Sequence, residues 1–345
     1  MKKVIILKLF FTLTSIMNAQ TETPISNSKT TISMEILKIQ SHIPELKIAI
    51  NHIAPKVISG DYPVLFLHGS SFPSSLSFGF EMSNTSWMKN LSENGYDVYA
   101  LDFLGYGNSD RYPEMKKPSD KIVGRAAEVS LDVEKAINFI LKETGKNKIY
   151  LVGHSWGGSV TALSASKLKD KVEKLILFAA ITVRNENSEF EKINRSFEEM
   201  TPIQRINAMK SLTPQGKECQ LEPEMFENWG EIWKKSDPLI ADSKNPAVRF
   251  PSGPSVDIED LLHNNSYYDP KKITAKTLII RGEWDQYPNN NDAENLFISL
   301  ENAASKKYVV IEKGTHVMHL EKSRNELYNE TLNFLKDSQN TFKNK

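Results

Sequence analysis

The stretch Gly153-His154-Ser155-Trp156-Gly157 constrains this chain more than any other, because of what flanks it. Before it, Lys148-Ile149-Tyr150-Leu151-Val152 is a short apolar run rich in β-branched and aromatic residues, the pattern of a buried strand. After it, Gly158 to Ala165 is small and helix-compatible. A serine between a strand and a helix marks a nucleophile elbow, a turn so tight that the serine hydroxyl is pushed out of the fold. Glycines two positions before and two after are needed because a larger side chain would collide across the turn. The helix that follows offers unpaired N–H groups and a positive dipole end to an anion.

A serine nucleophile needs a base, and the base needs a carboxylate to hold its tautomer. At such an elbow the chain order is serine, acid, histidine. The apolar run Thr277 to Gly282 reads as a buried strand and leads into Glu283-Trp284-Asp285. An acid just past a strand's C-terminal end sits where ligands collect in open α/β sheets. Asp285 is the first choice, with Glu283 its competitor. Lys307 to Ile311 is a further strand, and His316 lies in the loop beyond it, before a helix expected near Glu321. His316 is therefore the candidate base and His319 its rival. The strand Val64 to Leu67 runs into His68-Gly69-Ser70-Ser71. One N–H from this loop, assigned to Ser70 with Ser71 as the alternative, and one from Trp156 would face a tetrahedral oxyanion. His68 is read as a residue that orders the loop.

These pieces, together with Ala100-Leu101-Asp102-Phe103-Leu104-Gly105-Tyr106-Gly107-Asn108-Ser109-Asp110, resemble the α/β-hydrolase superfamily over roughly residues 45–337. The resemblance is to the serine-nucleophile branch with a lid inserted after the sixth strand. It implies Ser155 as nucleophile, Asp285 as acid and His316 as base. Haloalkane dehalogenases and epoxide hydrolases of the superfamily carry aspartate at the elbow, which the serine here argues against. Prolyl iminopeptidases share a Ser-Trp-Gly elbow, but their loop reads His-Gly-Gly-Pro-Gly, unlike His68-Gly69-Ser70-Ser71-Phe72.

The expected architecture is α/β: a doubly wound, mostly parallel sheet of about eight strands with an inserted helical lid. An edge hairpin is expected within 32–53, then strands near 63–68, 97–103, 148–154, 174–180, 276–281 and 307–312. A clear amphipathic helix runs through Ile122, Ala126, Val129, Val133, Ile137 and Ile140. The expected domains are a core of 32–181 and 274–337, interrupted by a lid over 182–273. The lid reads as helices near 187–199, 202–211, 222–235 and 256–263, with no strand. Phe190, Phe197, Phe226, Trp229, Trp233, Tyr267 and Tyr268, with Phe72, Phe78 and Phe80 of the oxyanion loop, are candidates for a pocket wall.

The N-terminus reads separately. Met1-Lys2-Lys3 is basic, Val4 to Met17 is mostly apolar with Lys8 interrupting it, and Asn18-Ala19-Gln20 offers a small residue for cleavage. Residues 1–20 are expected to be a signal peptide, exporting the protein to a periplasm or the exterior. The run is too short to span a bilayer comfortably, so stable membrane insertion is not expected. Lys+Arg and Asp+Glu balance at 43 each, so no field steers the protein toward nucleic acid. The sole cysteine, Cys219, has no internal partner for a disulfide. No metal cluster and no organic cofactor is implied, and the sequence leaves the oligomeric state open.

The function expected from the triad and the resemblance is hydrolysis of an ester of a small or medium organic acid through an acyl-enzyme on Ser155. Alternatives on the same fold are a C–C bond hydrolase, a haloperoxidase- or perhydrolase-like enzyme, or an amidase. A non-catalytic ligand-binding protein is a third possibility, against which an intact triad speaks.

Overall fold

The computed structural model describes residues 33–337, apart from 187, 188, 190, 191 and 241–246. Eight strands form one sheet: β1 (Glu35–Gln40), β2 (Lys47–Ile53), β3 (Val64–Leu67), β4 (Val98–Asp102), β5 (Ile149–His154), β6 (Val172–Phe178), β9 (Lys276–Gly282) and β10 (Lys306–Ile311). Their spatial order is β1-β2-β4-β3-β5-β6-β9-β10. β2 runs antiparallel to both β1 and β4, and every other pairing is parallel. The mostly parallel sheet expected from the sequence is present, with the edge hairpin at its start.

Parallel strands need crossovers that cover both faces, so both sides of each central strand turn apolar. In β3, Leu65 and Leu67 face one layer, while Val64 and Phe66 face the other. The first layer is closed by α3 (Ala126–Thr144), α4 (Trp156–Lys167) and α8 (Asn290–Ser299). The second is closed by α2 (Trp87–Glu93) and α9 (Arg324–Lys336), with a short α1 (Ser74–Ser77) ahead of α2. Helix α3 starts at Ala126, after Ile122, because Gly124 takes φ +78° and turns the chain just before it.

Residues 179–275 join β6 to β9. They hold β7 (Phe197–Met200), α5 (Pro202–Lys210), a π-type turn at Met225–Trp229, α6 (Gly230–Lys235), β8 (Val248–Pro251) and α7 (Gly253–Leu262). The expectation of helices alone here is corrected at one point. Phe197–Met200 pairs antiparallel with Val248–Pro251 as a two-stranded ribbon, so a helix near 187–199 is not formed in its described part. Phe-Glu-Glu-Met has ordinary helix propensity, but a partner strand some fifty residues away overrides it. Phe190 and residues 1–32, including the N-terminal run, lie outside the described residues. No described helix is long and apolar enough to cross a membrane.

One ionic clamp holds the antiparallel edge. The His52 imidazole meets the Glu35 and Asp97 carboxylates, each at 2.6 Å, and stacks on Tyr99. Burial disfavours the charged ring, but the two acids together outweigh it and raise the pKa above its ordinary value. A raised histidine pKa contributes stability that is complete below the unfolded value, about 6.5, and fades as pH rises through the folded value. His52→Gln should therefore lower the unfolding free energy by about 1 kcal/mol in mild acid and by less in alkali. Thermal melts from pH 5.5 to 9 would check this; a deficit that does not change with pH would contradict it.

Candidate active site

The elbow is built by close approaches that exclude side chains. A Cβ on Gly153 would stand 2.1 Å from Thr161 Oγ1, and one on Gly157 would stand 2.1 Å from the His68 carbonyl oxygen. Between them Ser155 takes φ +57° and ψ −128°, a conformation that costs a non-glycine residue about 1–3 kcal/mol. Neighbouring backbone holds it there: its N–H donates to the Phe178 carbonyl, and its own carbonyl accepts from Gly158 and Ile181.

The structure brings Ser155, His316 and Asp285 together from three separate loops. His316 Nε2 lies 2.8 Å from Ser155 Oγ, and His316 Nδ1 lies 3.2 and 3.1 Å from the two Asp285 oxygens. A carboxylate beside Nδ1 fixes the proton there and leaves Nε2 bare to accept from the serine hydroxyl. Asp285 is buried, and its Oδ1 also accepts from the Tyr287 N–H at 2.9 Å. Its competitor Glu283 is exposed and accepts from the Lys313 N–H at 3.0 Å, in a turn of its own.

His319, the rival base, is fully buried, and neither ring nitrogen has a hydrogen-bond partner among the described residues. It packs near Phe72, Phe78, His154 and Phe178. Burial, then the neighbouring His316 and Arg205, push its pKa well below the ordinary value, so it is a neutral packed ring.

The loop after β3 lies against the elbow: a Cβ on Gly69 would be 3.0 Å from Ser155 Cβ. His68 orders it. Its Nε2 accepts from the Phe103 N–H at 3.2 Å, so Nδ1 carries the proton and donates to the Gly69 carbonyl at 2.7 Å. Burial lowers its pKa to about 4 despite nearby Asp102. Asp102 in turn accepts from Ser74 N and Oγ and from Asn108 N, tying this loop to the Gly105–Asp110 turn. The backbone N–H groups of Ser70 and Trp156 have no hydrogen-bond acceptor among the described residues.

Three supports escaped the sequence reading. His154 Nε2 donates to the His316 carbonyl at 2.9 Å, so the elbow itself clamps the backbone of the histidine. Glu321, expected only near a helix start, accepts from Thr315 N and Oγ1 and pins the loop just before His316. Asp257 of α7 accepts from the Trp156 indole at 2.9 Å and from the Ala126 N–H, joining the segment between β6 and β9 to the elbow helix and to α3. His154 and Glu321 lie next to or near named site residues, whereas Asp257 lies about a hundred residues from the elbow it supports.

That segment also packs on the loop after β3. Ser155 is only 6% exposed. The Trp233 indole donates to the Ser71 carbonyl at 3.1 Å, and the Trp229 indole donates to the Leu76 carbonyl at 3.3 Å. Phe72 packs edge-on against Trp229, and Phe72, Phe78 and Phe80 are all buried. Of the other candidate wall aromatics, Tyr268 is buried and Phe197 partly so, Tyr267 bonds Ser159, and Phe226 faces solvent. Among the described residues there is no cluster of three potential metal ligands.

Residues 62–202 match the family described as alpha/beta hydrolase fold. The sheet order, the elbow and this match agree. The chain has the α/β-hydrolase fold. Among curated relatives, human lysosomal acid lipase/cholesteryl ester hydrolase is 26% identical over 124 residues, which is 35% of this chain and 31% of that protein. Bovine gastric triacylglycerol lipase is 28% identical over 166 residues, covering 44% of this chain and 38% of the lipase. This hydrolase-fold chain thus matches about a third of the length of those lipases. A solved serine hydrolase involved in carbazole degradation superposes with a TM-score of 0.59, covering 88% of this chain and 99% of that one at 15% identity, a likeness of fold.

The Glu321 anchor gives a test within the site. Burial pushes its carboxyl up to about 7, against the Thr315 hydrogen bonds that favour the anion. A carboxyl with a raised pKa contributes stability below its unfolded value, about 4.3, that is lost as pH rises through the folded value. Glu321→Gln cannot ionise, so its stability relative to the natural chain should improve between pH 4.5 and 7.5. Parallel melting curves across that range would contradict the buried, pH-sensitive anchor.

Proposed function

We propose that this protein is a serine hydrolase that cleaves an ester of a small or medium organic acid through an acyl-enzyme on Ser155. The observation that carries the reading is the aligned Ser155–His316–Asp285 chain on a strained elbow. The Ser155 hydroxyl donates to His316 Nε2 and attacks the ester carbonyl, and Asp285 stabilises the imidazolium that forms. The free N–H groups of Ser70 and Trp156 take the negative charge of the tetrahedral oxygen, where fixed dipoles act without reorganising. His316 then protonates the leaving alcohol. Water, deprotonated by the same nitrogen, attacks the acyl carbonyl and releases the acid. The partial likeness to lipases supports an ester over an amide or a C–C bond. The segment between β6 and β9 acts as the lid over this centre.

Turnover of p-nitrophenyl esters of increasing acyl length tests the assignment. Ser155→Ala and His316→Ala should each lower kcat by about 10³-fold or more, and the double variant should be hardly worse than either, because triad members act as a unit. Asp285→Asn should lose a large factor through the wrong imidazole tautomer, while Glu283→Gln and His319→Ala should stay within about tenfold. Full activity in Ser155→Ala, or loss in His319→Ala with His316→Ala intact, would overturn the roles.

We further propose that the protein is exported, on the basic-then-apolar order of residues 1–20. Intact mass of the protein from its native host should lack about twenty N-terminal residues. A mature product starting at Met1 in the cytoplasm would contradict export.

A further inference from the structure

Helix α5 carries a charge that the described residues do not neutralise. Arg205 forms no ion pair among them, and its Nε is enclosed without an acceptor. By contrast Arg125, Arg184 and Arg324 each face a carboxylate. A guanidinium keeps its charge in a protein, and one without a counter-charge favours an anion within its reach. Burial pushes its pKa down to about 10, which still leaves the cation at neutral pH. Its two terminal nitrogens are not among the enclosed atoms, so the end of the planar fork opens onto accessible space.

That fork lies close to the candidate active site. Arg205 Cζ stands 5.2 Å from the centre of the Phe72 ring. Phe72 is three residues beyond Gly69, whose backbone abuts Ser155, a span of about 11 Å at full extension. The Phe72 ring also neighbours His319 at 6.4 Å, and His319 neighbours His154 at 4.4 Å. His154 in turn holds the His316 carbonyl. Arg205 therefore belongs to the same layer as the triad. Burial keeps both intervening imidazoles neutral, and the Arg205 charge acts in the same direction.

We propose that Arg205, seated on the Phe72 ring, is an anion subsite for the Ser155 centre, and that the ester cleaved there carries a carboxylate about one short chain away from the scissile bond. A guanidinium fork pairs with a carboxylate through two parallel hydrogen bonds, and stacking on an aromatic face orients the fork. This rests on the serine-hydrolase reading for the reaction, but the binding it requires does not.

Two ester pairs test it: monomethyl adipate against methyl hexanoate, with the charge on the acyl side, and 3-acetoxybenzoate against phenyl acetate, with the charge on the alcohol side. In at least one pair kcat/KM should favour the anion by about tenfold, and Arg205→Gln should abolish that ratio chiefly through KM, since a charge-assisted hydrogen bond contributes about that much. Arg205→Lys should restore part of the ratio. No preference in either pair, or equal loss on charged and neutral members in Arg205→Gln, would overturn the subsite and point to a packing role. Calorimetry with Ser155→Ala separates the two readings. Arg205-dependent binding of monomethyl adipate or 3-acetoxybenzoate, with no turnover by the natural chain, would sink the hydrolase and keep the subsite. Turnover of neutral esters without Arg205-dependent binding of either anion would do the reverse.

Discussion

Ser155 holds a left-handed backbone because the chain on every side leaves it no room for another. The strand β5 must end, and α4 must begin, within a few residues, while the loop after β3 crosses within contact distance of both. A methyl group on Gly153 or Gly157 would occupy the space of Thr161 Oγ1 or the His68 carbonyl, so these crossings exist only with glycine. The local strain is held by sheet hydrogen bonds on one side and by a nearly wholly buried helix on the other. From that one turn follow the outward hydroxyl, the free Trp156 N–H and the reach of His154 to the His316 backbone.

The second dependence is on long-range tethering. His316 sits on a loop 161 residues from the serine it faces, and loops lack the precision of strands. Three contacts remove the freedom. Asp285 fixes the ring, His154 fixes the backbone, and the Thr315–Glu321 pair fixes the entry to the loop. Asp257 does the same for the segment between β6 and β9, since one carboxylate engages α3, the elbow tryptophan and Arg125 at once. Breaking that group apart would leave a buried charge unpaired, which gives that segment and the elbow a shared stability.

The sheet was legible because each central strand is a short apolar run bounded by turn residues, and burial on both faces demands that. The order serine, acid, histidine was legible because each residue follows a strand end. Its alternatives Glu283 and His319 were not separable by spacing alone; one is exposed and the other enclosed, a difference that only packing decides. The ribbon of β7 and β8 was missed because Phe197–Met200 is too short and too polar to show a strand pattern, and its partner lies far along the chain. Arg205 was invisible for a different reason. A sequence lists charges but not which of them lack an opposite neighbour.

The central claim, a Ser155 hydroxyl activated by His316, is tested most directly by mass spectrometry after treatment with a fluorophosphonate. The geometry requires a single adduct, mapped to the peptide carrying Ser155, that forms far more slowly in His316→Ala and not at all in Ser155→Ala. A Ser155 that stays unmodified in the natural chain, or that is modified as fast without His316, would contradict it.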